Sequence, residues 1–135
     1  MAENFKFELV SPEKLLISAN VDEVIVPGYD GDFTMLAKHA PLIATLRPGI
    51  LRVPNFEGKE KRIFVRGGFA EVGPDSLVVL AQQATPVEEF DAARIDAEIK
   101  NAEEDLADAE NEDAKRQAED SLERLRTLKE VLNLN

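Results

Sequence analysis

Cysteine and tryptophan are absent from the 135 residues, and tyrosine and histidine occur once each, as Tyr29 and His39. Without cysteine, nothing in the fold depends on an oxidising compartment, and thiolate chemistry is excluded. A single histidine leaves carboxylates as the remaining metal ligands, and carboxylates at turn spacing do not define a metal site, so none is expected. Serine stands only at positions 11, 18, 76 and 121, never within Gly-x-Ser-x-Gly, so no local signature of a nucleophilic enzyme exists. No apolar run approaches the roughly 20 residues that span a bilayer, so direct bilayer insertion is not expected. Bases are scarce, 16 Lys and Arg against 27 Asp and Glu, for a net charge of −11. Phosphate affinity requires clustered Lys and Arg, which argues against nucleic acid or an anionic membrane as a partner. The N-terminal Met1-Ala2-Glu3-Asn4 has neither a basic region leading into an apolar run nor an Arg-rich amphipathic character. A signal peptide and an organelle transit segment are therefore not expected.

Glycine and proline also run out partway along the chain, since all seven of each lie at or before Pro86. Charge shifts at the same point. Residues 1–87 hold 11 acids and 9 bases, whereas 88–135 hold 16 acids and 7 bases. The composition predicts two domains, 1–87 and 88–135.

The first domain reads as short strands. Phe5, Phe7 and Leu9 alternate with Lys6 and Glu8, the period of a strand with one buried face. Further strands are expected at Lys14–Ser18, Val21–Val26, Phe33–Leu36, Leu42–Leu46, Ile50–Val53, Arg62–Arg66, Phe69–Val72 and Leu77–Ala81. Turn signals separate them at intervals of about ten residues, which indicates a sandwich or barrel. Gly67-Gly68 lacks the helix and Lys-Ser/Thr pair of a phosphate cradle, so a bulge or a close backbone approach is expected there.

The second domain changes period. Ala92, Ile95, Ile99, Ala102, Leu106 and Ala109 recur at helical steps, and Ala114, Ala118, Ser121, Leu125, Leu128 and Leu132 repeat the spacing. The two stripes are out of phase, because continuing the first lands on Asp113, Arg116 and Asp120. A reversal near Asn111-Glu112 restores an apolar seam, so the stretch is predicted to be an antiparallel helical hairpin, narrow at its turn and better packed at its open end. Its first helix is strongly acidic and half of that seam is alanine, so the hairpin is expected to be modestly held. No Gly or Pro fixes its turn. Two helix starts compete: Thr85-Pro86-Val87-Glu88 has the form of a capping box, and Asp91 is an equally good N-cap.

Between Pro27 and Gly49 the chain reads as turn, strand, corner, strand, turn. Gly28 and Gly31 flank Tyr29-Asp30, and His39 precedes Pro41 by two residues. A lone histidine beside proline in a β protein is ordinarily a structural side chain satisfied by backbone groups. Taken in order, Pro27, Gly28, Gly31, Leu36, His39, Pro41, Leu46, Pro48 and Gly49 resemble the epsilon subunit family of F-type ATP synthases. Gly67-Gly68-Phe69-Ala70-Glu71-Val72 and Leu77-Val78-Val79-Leu80-Ala81 look like that family's paired-glycine strand and the strand after it. The resemblance covers essentially the whole chain. Thr34 stands where the family usually has glycine and Ala37 where it often has proline, which puts the loop geometry in question but not the fold.

The resemblance implies a flattened β-sandwich or barrel of about ten short strands followed by a helical hairpin. It carries the last strand close to Asp91, favouring that residue as N-cap. It implies a non-catalytic rotor subunit at the cytoplasmic face of a bacterial membrane, peripheral, with the gamma subunit and the ring of c subunits as partners and the alpha/beta catalytic head as a transient one. Tyr29, Asp30, Asp32 and His39 would face the ring. Arg124, Arg126 and Lys129 would meet an acidic segment of the catalytic beta subunit, making the arm a weak or conditional brake on ATP hydrolysis. Some members bind ATP at Ile/Leu-Asp-x-x-Arg-Ala with a further arginine downstream. In Phe90-Asp91-Ala92-Ala93-Arg94-Ile95 only Asp91 and Arg94 match, and Asn101 stands where the second arginine would be. Surrounding acids would repel a polyphosphate, so neither ATP nor another cofactor is expected. The residues alone leave a second reading open, a free-standing β-sandwich binding module whose acidic hairpin mediates oligomerisation.

Overall fold

A computed structural model describes residues 3–132 and divides the chain into two compact units, 1–87 and 88–135. In the first unit, eight strands run β1 (Phe5–Ser11), β2 (Lys14–Val21), β3 (Glu23–Gly28), β4 (Gly31–Leu36), β5 (Leu42–Thr45), β6 (Gly49–Phe56), β7 (Lys59–Val72) and β8 (Ser76–Pro86). Their order is β2-β1-β8-β7-β6-β3-β4, with β5 paired to β7 off this path. All neighbours are antiparallel except β1 and β8, which run parallel from Lys6↔Ser76 to Val10↔Leu80.

Eight strands replace the expected ten or so because β7 and β8 are long. Arg62–Arg66 and Phe69–Val72 are halves of one fourteen-residue strand. Its first half pairs with β6 and its second with β5, while β8 follows both halves. The change of partner occurs at Gly67-Gly68, both at positive φ (71° and 97°). There is no bulge, since Arg66↔Gln83 and Gly68↔Ala81 keep one register. Close approach explains the pair: a Cβ on Gly68 would lie 1.7 Å from the Leu80 carbonyl oxygen. The Gly68 carbonyl also accepts from Leu46 N at 3.0 Å. The β6–β7 hairpin closes on Glu57-Gly58, both at positive φ (54° and 86°), the two-residue turn that matches strand twist.

Alternation builds the core. Phe5, Phe7 and Leu9 are buried, as are Val24 and Val26, Leu51 and Val53, and Leu77, Val79 and Ala81. Each of these side chains except Ala81 contributes roughly 1.5–3 kcal/mol on leaving water. Among the described residues no buried side-chain polar atom lacks a partner.

In the second unit a short 3₁₀ turn, Val87–Glu89, occupies the alternative helix start, and α1 runs Ala92–Ala107. Asp91 is its N-cap, accepting from Ala93 N at 2.9 Å and Arg94 N at 3.4 Å. The second helix, α2, runs Glu112–Val131. Asn111 caps it by accepting from Ala114 N at 2.8 Å, so a side chain, with neither Gly nor Pro, starts the second helix, while α1 ends at Asp108 on backbone bonds. Ile95 and Ala102 of α1, and Ala118 and Leu122 of α2 with Leu132 beyond it, are buried. At the turn the small side chains Ala109, Ala114 and Ala118 leave an open cleft of about 540 Å³, so the seam is least filled there. Among the described residues two ion pairs cross the hairpin, Arg126 to Glu103 at 3.2 Å and Lys129 to Asp96 at 2.8 Å. Both are exposed, and such pairs contribute about 1 kcal/mol or less each.

Candidate docking site

The β3–β4 turn is built on two glycines with different duties. Gly28 pairs with Gly31 across the hairpin, leaving Tyr29 and Asp30 as the loop. Gly31 takes φ +132°, a region that side chains rarely enter. Gly28 is needed for space: a Cβ there would meet the Gly31 carbonyl oxygen at 2.7 Å. The turn is then tied to the segment after β5. Tyr29 N donates to the Thr45 carbonyl at 2.7 Å, and Arg47 N donates to the Pro27 carbonyl at 3.0 Å. Gly49 lets that segment approach, since a Cβ there would stand 2.7 Å from Pro27 Cβ.

Side chains complete the tie. The Arg47 guanidinium pairs with Asp32 and reaches the Gly28 carbonyl at 3.5 Å. Asp30 makes no ion pair among the described residues. The two acids expected to act together are thus distinguished: Asp32 is neutralised within the molecule and Asp30 is not.

Around this turn the sandwich presents apolar surface to solvent. Tyr29 and Ile43 are each 72% exposed, and Phe69, paired with Thr45, is 39% exposed. An open groove of about 520 Å³ lies between Tyr29, Asp30, Phe33, Leu42 and Ile43. Exposed apolar residues gathered in one place mark interaction surfaces more often than isolated ones do. His39 joins the same region through Phe33, whose ring centroid lies 6.4 Å from its own. Its Nδ1–H donates to the Ala40 carbonyl at 2.8 Å, the backbone satisfaction expected of a structural histidine, and this fixes the tautomer. Lys38, just before it, adopts φ +64°, donates from its backbone to the Pro74 carbonyl at 2.7 Å, and pairs with Glu3 at 3.3 Å.

The structure therefore gathers Tyr29, Asp30 and Asp32 at the β3–β4 turn, while His39 follows the other end of β4 and reaches back towards them through Phe33. Sequence reasoning missed Arg47, Ile43 and Phe69. The clamp joins residues fifteen apart, and short apolar strands do not reveal which face will be bare.

The basic residues of α2 are not alike. Arg126 and Lys129 are held by Glu103 and Asp96, whereas Arg124 has no ion pair among the described residues. Asp91 and Arg94 are likewise engaged locally, the first as N-cap and the second with Glu98 at 3.7 Å one turn on. Among the described residues no group of three or more His, Cys, Asp or Glu is placed to hold a metal ion.

Comparison with known proteins adds the following. A family model described as the beta-sandwich domain of the ATP synthase delta/epsilon chain matches residues 4–87. The chain is 48% identical over 132 residues to the ATP synthase epsilon chain of Parvibaculum lavamentivorans, covering 98% of this chain and 100% of the relative. It is 45% identical over 128 residues to that of Mesorhizobium japonicum, covering 95% of each. It superposes on a chain of the cryo-EM structure of Euglena gracilis mitochondrial ATP synthase (OSCP/F1/c-ring) with a TM-score of 0.78 and 25% identity, covering 96% of this chain and 81% of that one. A chain from the Tetrahymena thermophila central stalk and c-ring matches in fold, with a TM-score of 0.61 at 15% identity.

Proposed function

The chain belongs to the family of ATP synthase epsilon chains, and from that premise we propose that it is a non-catalytic subunit of the rotor's central stalk. It joins the gamma subunit to the ring of c subunits, so that proton-driven rotation of the ring reaches the catalytic head. The observation that carries this reading is the turn at one end of the sandwich: a rigid loop with one uncompensated carboxylate, Asp30, set in exposed apolar surface that includes Tyr29 and Ile43.

Such a surface suits a partner loop that brings one basic residue among apolar neighbours. The apolar part supplies affinity, and the single charge sets orientation and register. We assign this turn, the groove it shares with Leu42 and Ile43, and His39 beyond Phe33 to the ring. The subunit is then peripheral, at the cytoplasmic face of a bacterial membrane. Among the described residues no helix is long and apolar enough to cross a membrane.

The hairpin is the regulatory part of the reading. Closed, it keeps Arg126 and Lys129 occupied by Glu103 and Asp96. Open, it would offer both, with Arg124, to an acidic segment of the catalytic beta subunit. Weak internal pairs make this a conditional brake.

The test is disulfide or photochemical crosslinking in the assembled enzyme from a cysteine at Tyr29, which leaves Asp30 and the Arg47–Asp32 pair intact. Crosslinks to the c subunit are expected. Crosslinks to alpha or beta alone would refute the placement.

A further inference from the structure

The Tyr29–Asp32 turn owes its shape to a residue outside it. Five interactions bind β3, its turn and Asp32 to the segment Thr45–Gly49: two backbone bonds, Tyr29 N to Thr45 O and Arg47 N to Pro27 O, and the packing of Gly49 on the Pro27 ring need nothing from the Arg47 side chain. The other two come from one guanidinium, which spans from the Gly28 carbonyl on the first strand to the Asp32 carboxylate on the second. A planar fork with several donors suits such bridging, and an ammonium does not. The Arg47 side chain is 38% exposed and that of Asp32 43%, so the pair lies at the surface beside the groove.

We propose that Arg47 is the positioning residue of the docking turn: it cross-braces the two strands at the base of Tyr29-Asp30 and removes the charge of Asp32, leaving Asp30 as the charge presented to the partner. The inference rests on the reading of this turn as a docking surface. It separates two neighbouring carboxylates by role. Asp30 meets the partner, while Asp32 acts through Arg47.

Backbone ¹⁵N relaxation on the isolated full-length chain, together with crosslinking from Tyr29→Cys in the assembled enzyme, tests it. In Arg47→Gln the backbone bond from residue 47 to Pro27 is retained, so the thermal transition should move little. The order parameters at residues 30–32 should fall from about 0.85 towards 0.6. Asp32→Asn should reproduce that loosening and Asp30→Asn should not. Arg47→Lys, which can keep the ion pair but lacks the fork, should restore order only in part. Arg47→Gln should lower the yield of crosslink to the c subunit by about threefold to fivefold, the scale of one exposed charge-assisted link. Unchanged order parameters in Arg47→Gln would overturn the cross-brace. A loosened turn with undiminished crosslinking would overturn the positioning role. Failure of the Tyr29→Cys parent, which keeps both Asp30 and the Arg47–Asp32 pair, to reach the c subunit at all would instead refute the docking reading, and the positioning role with it, whatever the relaxation data say.

Discussion

Gly68→Ala is the substitution to which the sandwich should be least tolerant. Two penalties combine there. An alanine at φ +97° is in a region costing roughly 1–2 kcal/mol for a side chain. Its methyl group would also lie 1.7 Å from the Leu80 carbonyl oxygen, a backbone atom with no rotamer to escape by. Relief requires β7 to draw away from β8 at Gly68↔Ala81, and Leu46 N then loses its acceptor on Gly68. Two or three net hydrogen bonds at about 1 kcal/mol each bring the total to about 4 kcal/mol. That is a large part of a stability of about 5–15 kcal/mol. Gly67→Ala is the control. Its φ is +71°, but the methyl would meet the end of the Gln82 side chain at 2.6 Å, which can swing aside. It should lose about 1–2 kcal/mol. Urea unfolding followed by tyrosine fluorescence is the assay. With no tryptophan and one tyrosine in the chain, Tyr29 reports on the sandwich alone. The midpoint should fall by about 2 M in Gly68→Ala and by about 1 M or less in Gly67→Ala, for a slope near 2 kcal/mol/M. Equal shifts in the two variants would refute the reasoning, because the difference rests on backbone against side chain as the obstacle.

Lys38→Gly should raise stability by about 0.5–1 kcal/mol, or a few degrees in Tm, since relief of strain at φ +64° exceeds glycine's extra unfolded-state freedom and the loss of an exposed pair with Glu3. Calorimetry of the two proteins decides it. ATP should not bind the isolated chain below about millimolar concentration, with or without magnesium; titration calorimetry giving a micromolar constant abolished by Arg94→Ala would reverse this. Deleting residues 113–135 should raise ATP hydrolysis modestly with assembly intact. Replacing Glu103 and Asp96 by Gln and Asn should strengthen the brake, by freeing Arg126 and Lys129, and unchanged hydrolysis in both variants would remove it.

Much of the fold was legible because periodicity is local. Alternation at Phe5, Phe7 and Leu9 and the two helical stripes are set by residues two to four apart, and the stripe positions are the buried or half-buried ones. Their phase mismatch placed the reversal at Asn111, where a side-chain cap holds it. The strand count was less legible, because paired glycines look like a break. At Gly67-Gly68 the left-handed backbone bends a strand that keeps its register. The site was half legible. Turn chemistry located Tyr29 and Asp30, but the Asp32–Arg47 pair forms only once β5 has been laid against β7. The left-handed backbone at Lys38 has no signature of its own either.

The parallel pairing of β1 with β8 has a consequence for biosynthesis. Lys6 and Ser76 are neighbours in the sheet, yet about 70 residues separate them, some 4 to 14 s of translation at about 5–20 residues per second. Through that interval β1 has only β2 beside it, and an isolated hairpin is marginal in water. The newborn chain therefore carries Phe5, Phe7 and Leu9 unprotected until its eighth strand is made. The core closes late and all at once, and the acidic arm is synthesised only after β8.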